Sequence, residues 1–203
     1  MLGLPKATEL SRQLPKKAIY AKFNMNAAAR DKFDAEISRI TIVNEVSPAT
    51  VAVSAGEQVK AFYVLLVSLK RKEYDERIIG QLSRLIEQNM LFVLEYGGEA
   101  CLAVYHNKVL SSEWTTRDAL SISLKGLDLD TVWQNIIVQI GDVQIEEGNS
   151  LDDQIALDVK RAKLQKEIDR IEKLARIERQ PKKKFELVQQ ENNLRKQLEE
   201  LNC

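Results

Sequence analysis

The sequence predicts a mixed-sheet domain of α/β (α+β) class followed by a C-terminal antiparallel helical hairpin of coiled-coil type. Three observations carry that prediction. Lys60 to Lys70 (KAFYVLLVSLK) is almost continuously apolar, as expected of a strand buried on both faces. Gly97-Gly98 separates two apolar runs, and both central positions of a tight hairpin turn need positive φ. Residues 151–203 contain no glycine, one proline and one aromatic residue, and Leu, Ile, Lys, Arg and Glu dominate them. The expected division is 1–148 for the sheet domain with an N-terminal arm and 151–203 for the hairpin, bent near Pro181.

The elements follow in order. Leu4-Pro5 and Leu14-Pro15 each start a piece able to form a short helix with proline in its first turn. Asn26 is placed to cap a helix from Ala27 to about Ser38, with Ala29, Phe33 and Ile37 as its inner stripe. Arg39 to Val46 reads as a strand, Ser47-Pro48 as a turn, and Thr50 to Ser54 as a second short strand. After the central strand, Tyr74 to Asn89 carries Ile78, Ile79, Leu82, Leu85 and Ile86 at helical spacing, interrupted by Gly80. Met90 to Tyr96 and Glu99 to His106 form the hairpin around the glycine pair. Val109 to Leu124 supplies one or two edge strands with Trp114 against the core. Asp128 introduces a helix whose Val132, Trp133, Ile136, Ile137 and Ile140 form a wide apolar face, with Gly141 at its C-cap.

Thirty basic and thirty acidic residues cancel, so no global field draws the chain to nucleic acid or an anionic membrane. No apolar run approaches the roughly 18 residues of a membrane span, and a cytoplasmic protein without membrane contact is expected. Cys101 lies in a strand-like run and Cys203 is terminal, a poor basis for a disulfide framework. The only histidine, His106, has no nucleophile motif beside it, and no Cys-x-x-Cys or His-x-x-x-His pair offers a metal site. The scattered glycines assemble no phosphate-cradling loop, so no cofactor and no metal are expected.

The order helix, strands, central strand, helix, strand resembles, in topology only, that of restriction-nuclease-like folds, of which this chain would be a degenerate form. In such a core a carboxylate two residues before a lysine on the central strand would hold Mg²⁺. The matching tripeptide is Ser68-Leu69-Lys70, which keeps the lysine and lacks the acid; Glu36, Glu45, Glu57 and Glu73 are the nearby acids available to substitute. Lys70 is therefore the one catalytic candidate. Two basic clusters, Lys70-Arg71-Lys72 and Lys182-Lys183-Lys184, are the candidates for contact with phosphates, although acidic residues follow each.

In the tail, Leu157, Leu164 and Ile171 repeat every seven residues, with Ile155, Ile168, Leu174 and Ala175 widening the stripe. Beyond Pro181, Leu187, Leu194 and Leu201 repeat likewise, beside Val188 and Leu198. Proline removes a backbone donor and clashes with the preceding turn, so Arg179-Gln180-Pro181 favours a bend over one rod. Leu157, Leu164, Ile168, Ile171, Leu187, Leu194 and Leu198 are the expected partner-binding positions. Two helices alone bury one side each and need a further surface: the chain's own sheet domain, a second copy, or another protein.

Leu4 to Glu9, Ala61 to Lys70 with Asp75-Glu76-Arg77-Ile78, Met90 to Tyr96 and the segment Lys125-Gly126-Leu127-Asp128-Leu129-Asp130-Thr131-Val132-Trp133-Gln134-Asn135 resemble the bacterial and archaeal family called domain of unknown function 4391. The resemblance runs over nearly the whole chain and brings no catalytic residues with it. It implies a context: similar proteins are often encoded beside helicases and DNA methyltransferases in restriction-like or phage-defence clusters. An accessory subunit working with such an enzyme on DNA is the function it suggests.

Overall fold

The computed structural model describes residues 2–202. Its strands are β1 (Glu9–Gln13), β2 (Ile37–Val46), β3 (Phe62–Leu69), β4 (Asn89–Tyr96), β5 (Glu99–His106), β6 (Lys108–Ser111) and β7 (Thr115–Thr116). Its α-helices are α1 (Lys16–Lys22), α2 (Ala27–Glu36), α3 (Glu76–Leu82), α4 (Leu129–Gly141), α5 (Leu151–Ile177) and α6 (Pro181–Glu200). The chain divides into two compact units, Met1–Val143 and Gln144–Cys203. Among the described residues no helix is long and apolar enough to cross a membrane.

The first unit is a mixed seven-stranded sheet in the order β1-β2-β3-β4-β5-β6, with β7 also pairing β5. All neighbours are antiparallel except β3 and β4, which run parallel. A parallel pair needs a crossover, and residues 70–88 with α3 supply it. Both central strands are buried on two faces. Leu65, Val67 and Leu69 of β3 and Met90, Phe92 and Leu94 of β4 join Ile19, Phe33, Ile78, Ile79 and Leu82 from α1, α2 and α3 in one core cluster. On the opposite face, Phe62 lies 5.2 Å from Trp133 of α4 between ring centroids. The two-residue turn between β4 and β5 has φ of 59° at Gly97 and 87° at Gly98, as the glycine pair predicts.

Asn26 caps α2 by accepting from the Ala29 N–H, and Phe33 is buried as expected. Ala29 is exposed, and Ile37 already belongs to β2, so the inner stripe is narrower than its spacing suggests. Pro15 precedes α1 as its N-cap, but Pro5 introduces only a 3-10 turn, after which Glu9–Gln13 pairs with β2 as an edge strand with no buried residue. Such a strand has no inner face to print an apolar alternation in the sequence. The helix expected over 74–89 ends at Leu82, and Asn89 opens β4; Leu85 and Ile86 pack on the core from turns. Gly80 lets the ring of Tyr105 approach, since a Cβ there would sit 3.3 Å from it. At the end of α4 it is Asp142, not Gly141, that turns left-handed, with φ of 46°.

The strand expected at Thr50 to Ser54 does not form. Thr50 and Val51 turn back onto the Ser47 carbonyl, and residues 54–59 are held against the start of α4 instead. The Asp130 carboxylate accepts from the backbone N–H groups of Glu57 (2.6 Å), Gln58 (3.2 Å) and Val59 (2.6 Å). Ser54 Oγ donates to the Leu127 carbonyl at 2.8 Å, and Leu129 N–H donates to the Ser54 carbonyl at 3.0 Å. Asp128 accepts from Thr131 N–H at 2.8 Å as the helix N-cap. Gly56 is required here because a Cβ would lie 2.2 Å from Asp130 Oδ1. Three satisfied backbone donors outweigh the local β propensity of a Thr-Val segment.

Hydrogen bonds from Val59, then Gln58 and Glu57, hold the Asp130 carboxyl below the usual carboxylate range. A lowered native pKa contributes stability that is present above the unfolded value and lost as pH falls through the native one. Asp130→Asn is therefore expected to be less stable than the parent at pH 7. The gap should close from about pH 4 downward, as urea titrations across pH would show. Phe62→Ala should lose about 3–5 kcal/mol in the same assay, through the cavity left beneath Trp133.

Candidate interaction surface

Serine, proline and charge placement set the second unit. Ser150 caps α5 by accepting from Asp153 N–H at 3.2 Å, with Asp152 and Asp153 in the favourable first turn. The helix runs to Ile177, a three-residue break follows, and Pro181 stands at the first turn of α6. The helices, 27 and 20 residues long, extend about 40 and 30 Å at 1.5 Å per residue. They pair antiparallel. Arg161, in the N-terminal half of α5, donates Nε to the carbonyl of Leu201 at 3.2 Å, and Arg195 of α6 lies 3.8 Å from Glu172 of α5. The Arg161 cation also pairs with Glu146 at 2.6 Å and supplies positive charge at the C-terminal end of α6.

Low exposure recurs at alternating three- and four-residue spacing. On α5 it falls at Leu157, Arg161, Leu164, Ile168, Ile171 and Ala175; on α6 at Leu187, Glu191, Leu194 and Leu198, continuing to Leu201. All seven expected partner-binding residues thus lie on these stripes: Ile168 and Ile171 are buried, and the other five are half-buried. Leu174 and Val188, expected to widen the stripes, are 41% and 38% exposed, and Ile177 and Phe185 are 75% and 63% exposed. The outward ion pairs form as spaced, Glu167 with Arg170 at 2.6 Å and Glu172 with Arg176 at 2.5 Å. Lys182, Lys183 and Lys184 are exposed, and among the described residues none of them forms an ion pair within the chain.

The other basic cluster is built differently. Lys70 follows β3 with its side chain exposed, while its N–H donates to the Glu36 carbonyl at 2.8 Å. Arg71 pairs with Glu36 at 2.7 Å, and the second oxygen of that buried carboxylate accepts from Asp75 N–H at 2.8 Å. Lys72 pairs with Glu99 at 2.6 Å and lies 5.2 Å from the centroid of Trp114, which packs on the core. Two of the three cations are therefore spent on fastening the loop after β3. Glu36, considered from sequence as an acid available to Mg²⁺, has both oxygens engaged. Among the described residues no group of three or more His, Cys, Asp or Glu side chains is placed to hold a metal ion.

A third cluster was not legible in the sequence. Asp34 accepts from Lys16 Nζ and from Tyr20 Oη, each at 2.6 Å, tying α1 to α2. The hydrogen bonds hold the Asp34 carboxyl low, while burial and the neighbouring carboxylate push the Tyr20 hydroxyl up to about 12. Nothing in sequence spacing marks a contact set by how two helices meet. Cys101 is buried in β5, where desolvation pushes its thiol up to about 12 and makes it a poor nucleophile; Cys203 lies outside the described residues. His106 is half-buried at the end of β5.

A mixed-sheet α+β domain and a helical pair thus define the class. The chain belongs to the family described as domain of unknown function (DUF4391), whose model matches residues 2–198. No curated protein and no solved structure matches the chain.

Removing the Glu36 carboxylate leaves Arg71 half-exposed and able to reach water, but strands the Asp75 N–H. Glu36→Ala is expected to cost about 1–3 kcal/mol in chemical denaturation, and Arg71→Ala less, since the Asp75 bond survives it. Equal losses would contradict a positioning role centred on the carboxylate.

Proposed function

We propose that the chain is a non-catalytic accessory protein that acts through its helical pair, with a DNA helicase or methyltransferase of a restriction-like or phage-defence system as its partner. The observation that carries the interaction role is the set of large apolar side chains exposed near the Pro181 break: Leu174, Ile177, Phe185 and Val188. Exposed apolar clusters on a helical element mark contact surfaces more often than single surface leucines do. The heptad-spaced stripes support reading the pair as a short antiparallel coiled coil. The choice of partner rests on the gene context that the family resemblance implies, and a cytoplasmic location accords with it.

Affinity purification of the tagged full chain from its native host tests this. A helicase or methyltransferase should be recovered with the parent and lost with an Ile177→Asp/Phe185→Asp variant that keeps its helical circular dichroism. Equal recovery with both would contradict the assignment of the surface.

A second reading, a nucleic-acid clamp, is favoured by the unpaired Lys182, Lys183 and Lys184 beside exposed Phe185. It predicts oligonucleotide binding that weakens steeply with salt and drops on reversing these three charges, while reversing Lys72 mainly destabilises the fold. Salt-insensitive binding would count against it. The divergent Mg²⁺-dependent nuclease has only Lys70 behind it.

A further inference from the structure

Between the facing ends of α5 and α6, beside the Pro181 break, lies a groove of about 690 Å³. Leu174, Ile177 and Leu187 give it an apolar lining, and Glu178, Arg179, Lys183 and Glu186 give it charged edges. At about 100° per residue, Leu174 projects roughly 90° away from the Ile168/Ile171/Ala175 stripe, and Ile177 still farther round α5. Packing within the pair therefore leaves both uncovered, consistent with exposures of 41% and 75%.

We propose that this groove is a self-association site that receives the Leu174–Ile177 edge of a second copy of the chain, two helical pairs meeting about a twofold axis. The inference rests on the interaction role given to the helical pair above: two copies meet at the groove, and the exposed Phe185 and Val188, which lie outside its lining, remain for the further partner. A twofold contact must be self-complementary, carrying projection and recess, and both charge signs, on one patch. This patch does so. Two acids and two bases edge an apolar centre, a balance that suits neither a phosphate backbone nor an anionic bilayer, which call for one sign.

Lys183 and Glu186 stand one helical turn apart on α6, and among the described residues neither forms an ion pair within the chain. A twofold rotation brings Lys183 of each copy to Glu186 of the other. Two pairs of helices joined in this way would also supply the apolar cover that a lone pair lacks.

Sedimentation velocity of the full chain tests the proposal, with circular dichroism confirming helix content in every variant. The parent is expected to dimerise, and Ile177→Asp to be monomeric at the same concentration. Lys183→Glu and Glu186→Lys should each raise the dimer dissociation constant roughly tenfold or more, because each creates like-charge contacts across the axis twice. An equimolar mixture of those two variants should dimerise again, since each then faces its opposite.

A parent that stays monomeric, or variants that dimerise like it, would overturn the proposal, as would a mixture that fails to recover. A monomer that still recovers a helicase or methyltransferase in an Ile177-dependent way would overturn self-association alone. A dimer unaffected by any of these substitutions, together with partner recovery equally unaffected, would overturn the interaction role as well.

Discussion

Burial of β3 and β4 on both faces is the constraint from which the first unit follows. Parallel pairing of these strands forbids a tight turn between them, so the chain must leave the sheet and return, and α3 lies on that path. Two apolar faces then need two covers. The helices α1, α2 and α3 cover one, through Ile19, Phe33, Ile78, Ile79 and Leu82, and α4 lays Trp133 over Phe62 on the other. The two edges are left blunt: β1 is short, charged and irregular in register, and the opposite edge is divided between β6 and β7.

Holding α4 in place is the task of its N-terminal segment. Asp128 satisfies the helix's own first turn, while Asp130 reaches outward to three backbone donors in the 57–59 loop. Gly126 allows the close approach, since a Cβ there would lie 2.8 Å from Val132 N. The Gly-Leu-Asp-Leu-Asp sequence, one of the segments that carry the family resemblance, is thus a structural fastening. Its two aspartates are occupied by backbone N–H groups, which explains two acids at a helix start without invoking catalysis.

What was legible in the sequence had a local cause. Asn26 as a cap, the glycine pair, the wide face of α4 and the break before Pro181 each depend on residues within a turn or two. What was hidden depended on partners far along the chain. Thr50 to Ser54 has strand-forming residues, yet the following loop is taken by Asp130, more than seventy residues away. The 70–72 cluster looked like a phosphate site until Glu36 and Glu99 claimed Arg71 and Lys72. Lys182 to Lys184 looked the same in sequence and retain their charges unpaired, a difference that only tertiary contacts create. The stripes of the helical pair were readable from their period, whereas the uncovered positions of Leu174 and Ile177 required the direction in which α6 packs.

The second unit accordingly concentrates unsatisfied surface at its bend: apolar side chains without cover and charges without partners, within about two turns of Pro181. On the proposed self-association, this bend is where two copies of the protein meet. Hydrogen–deuterium exchange of the full chain at low and high protein concentration tests it most directly. Amides across residues 174–190 are expected to become more protected as concentration rises, with the sheet unchanged. Protection that is independent of concentration there, or that appears instead along the β1 edge, would contradict it.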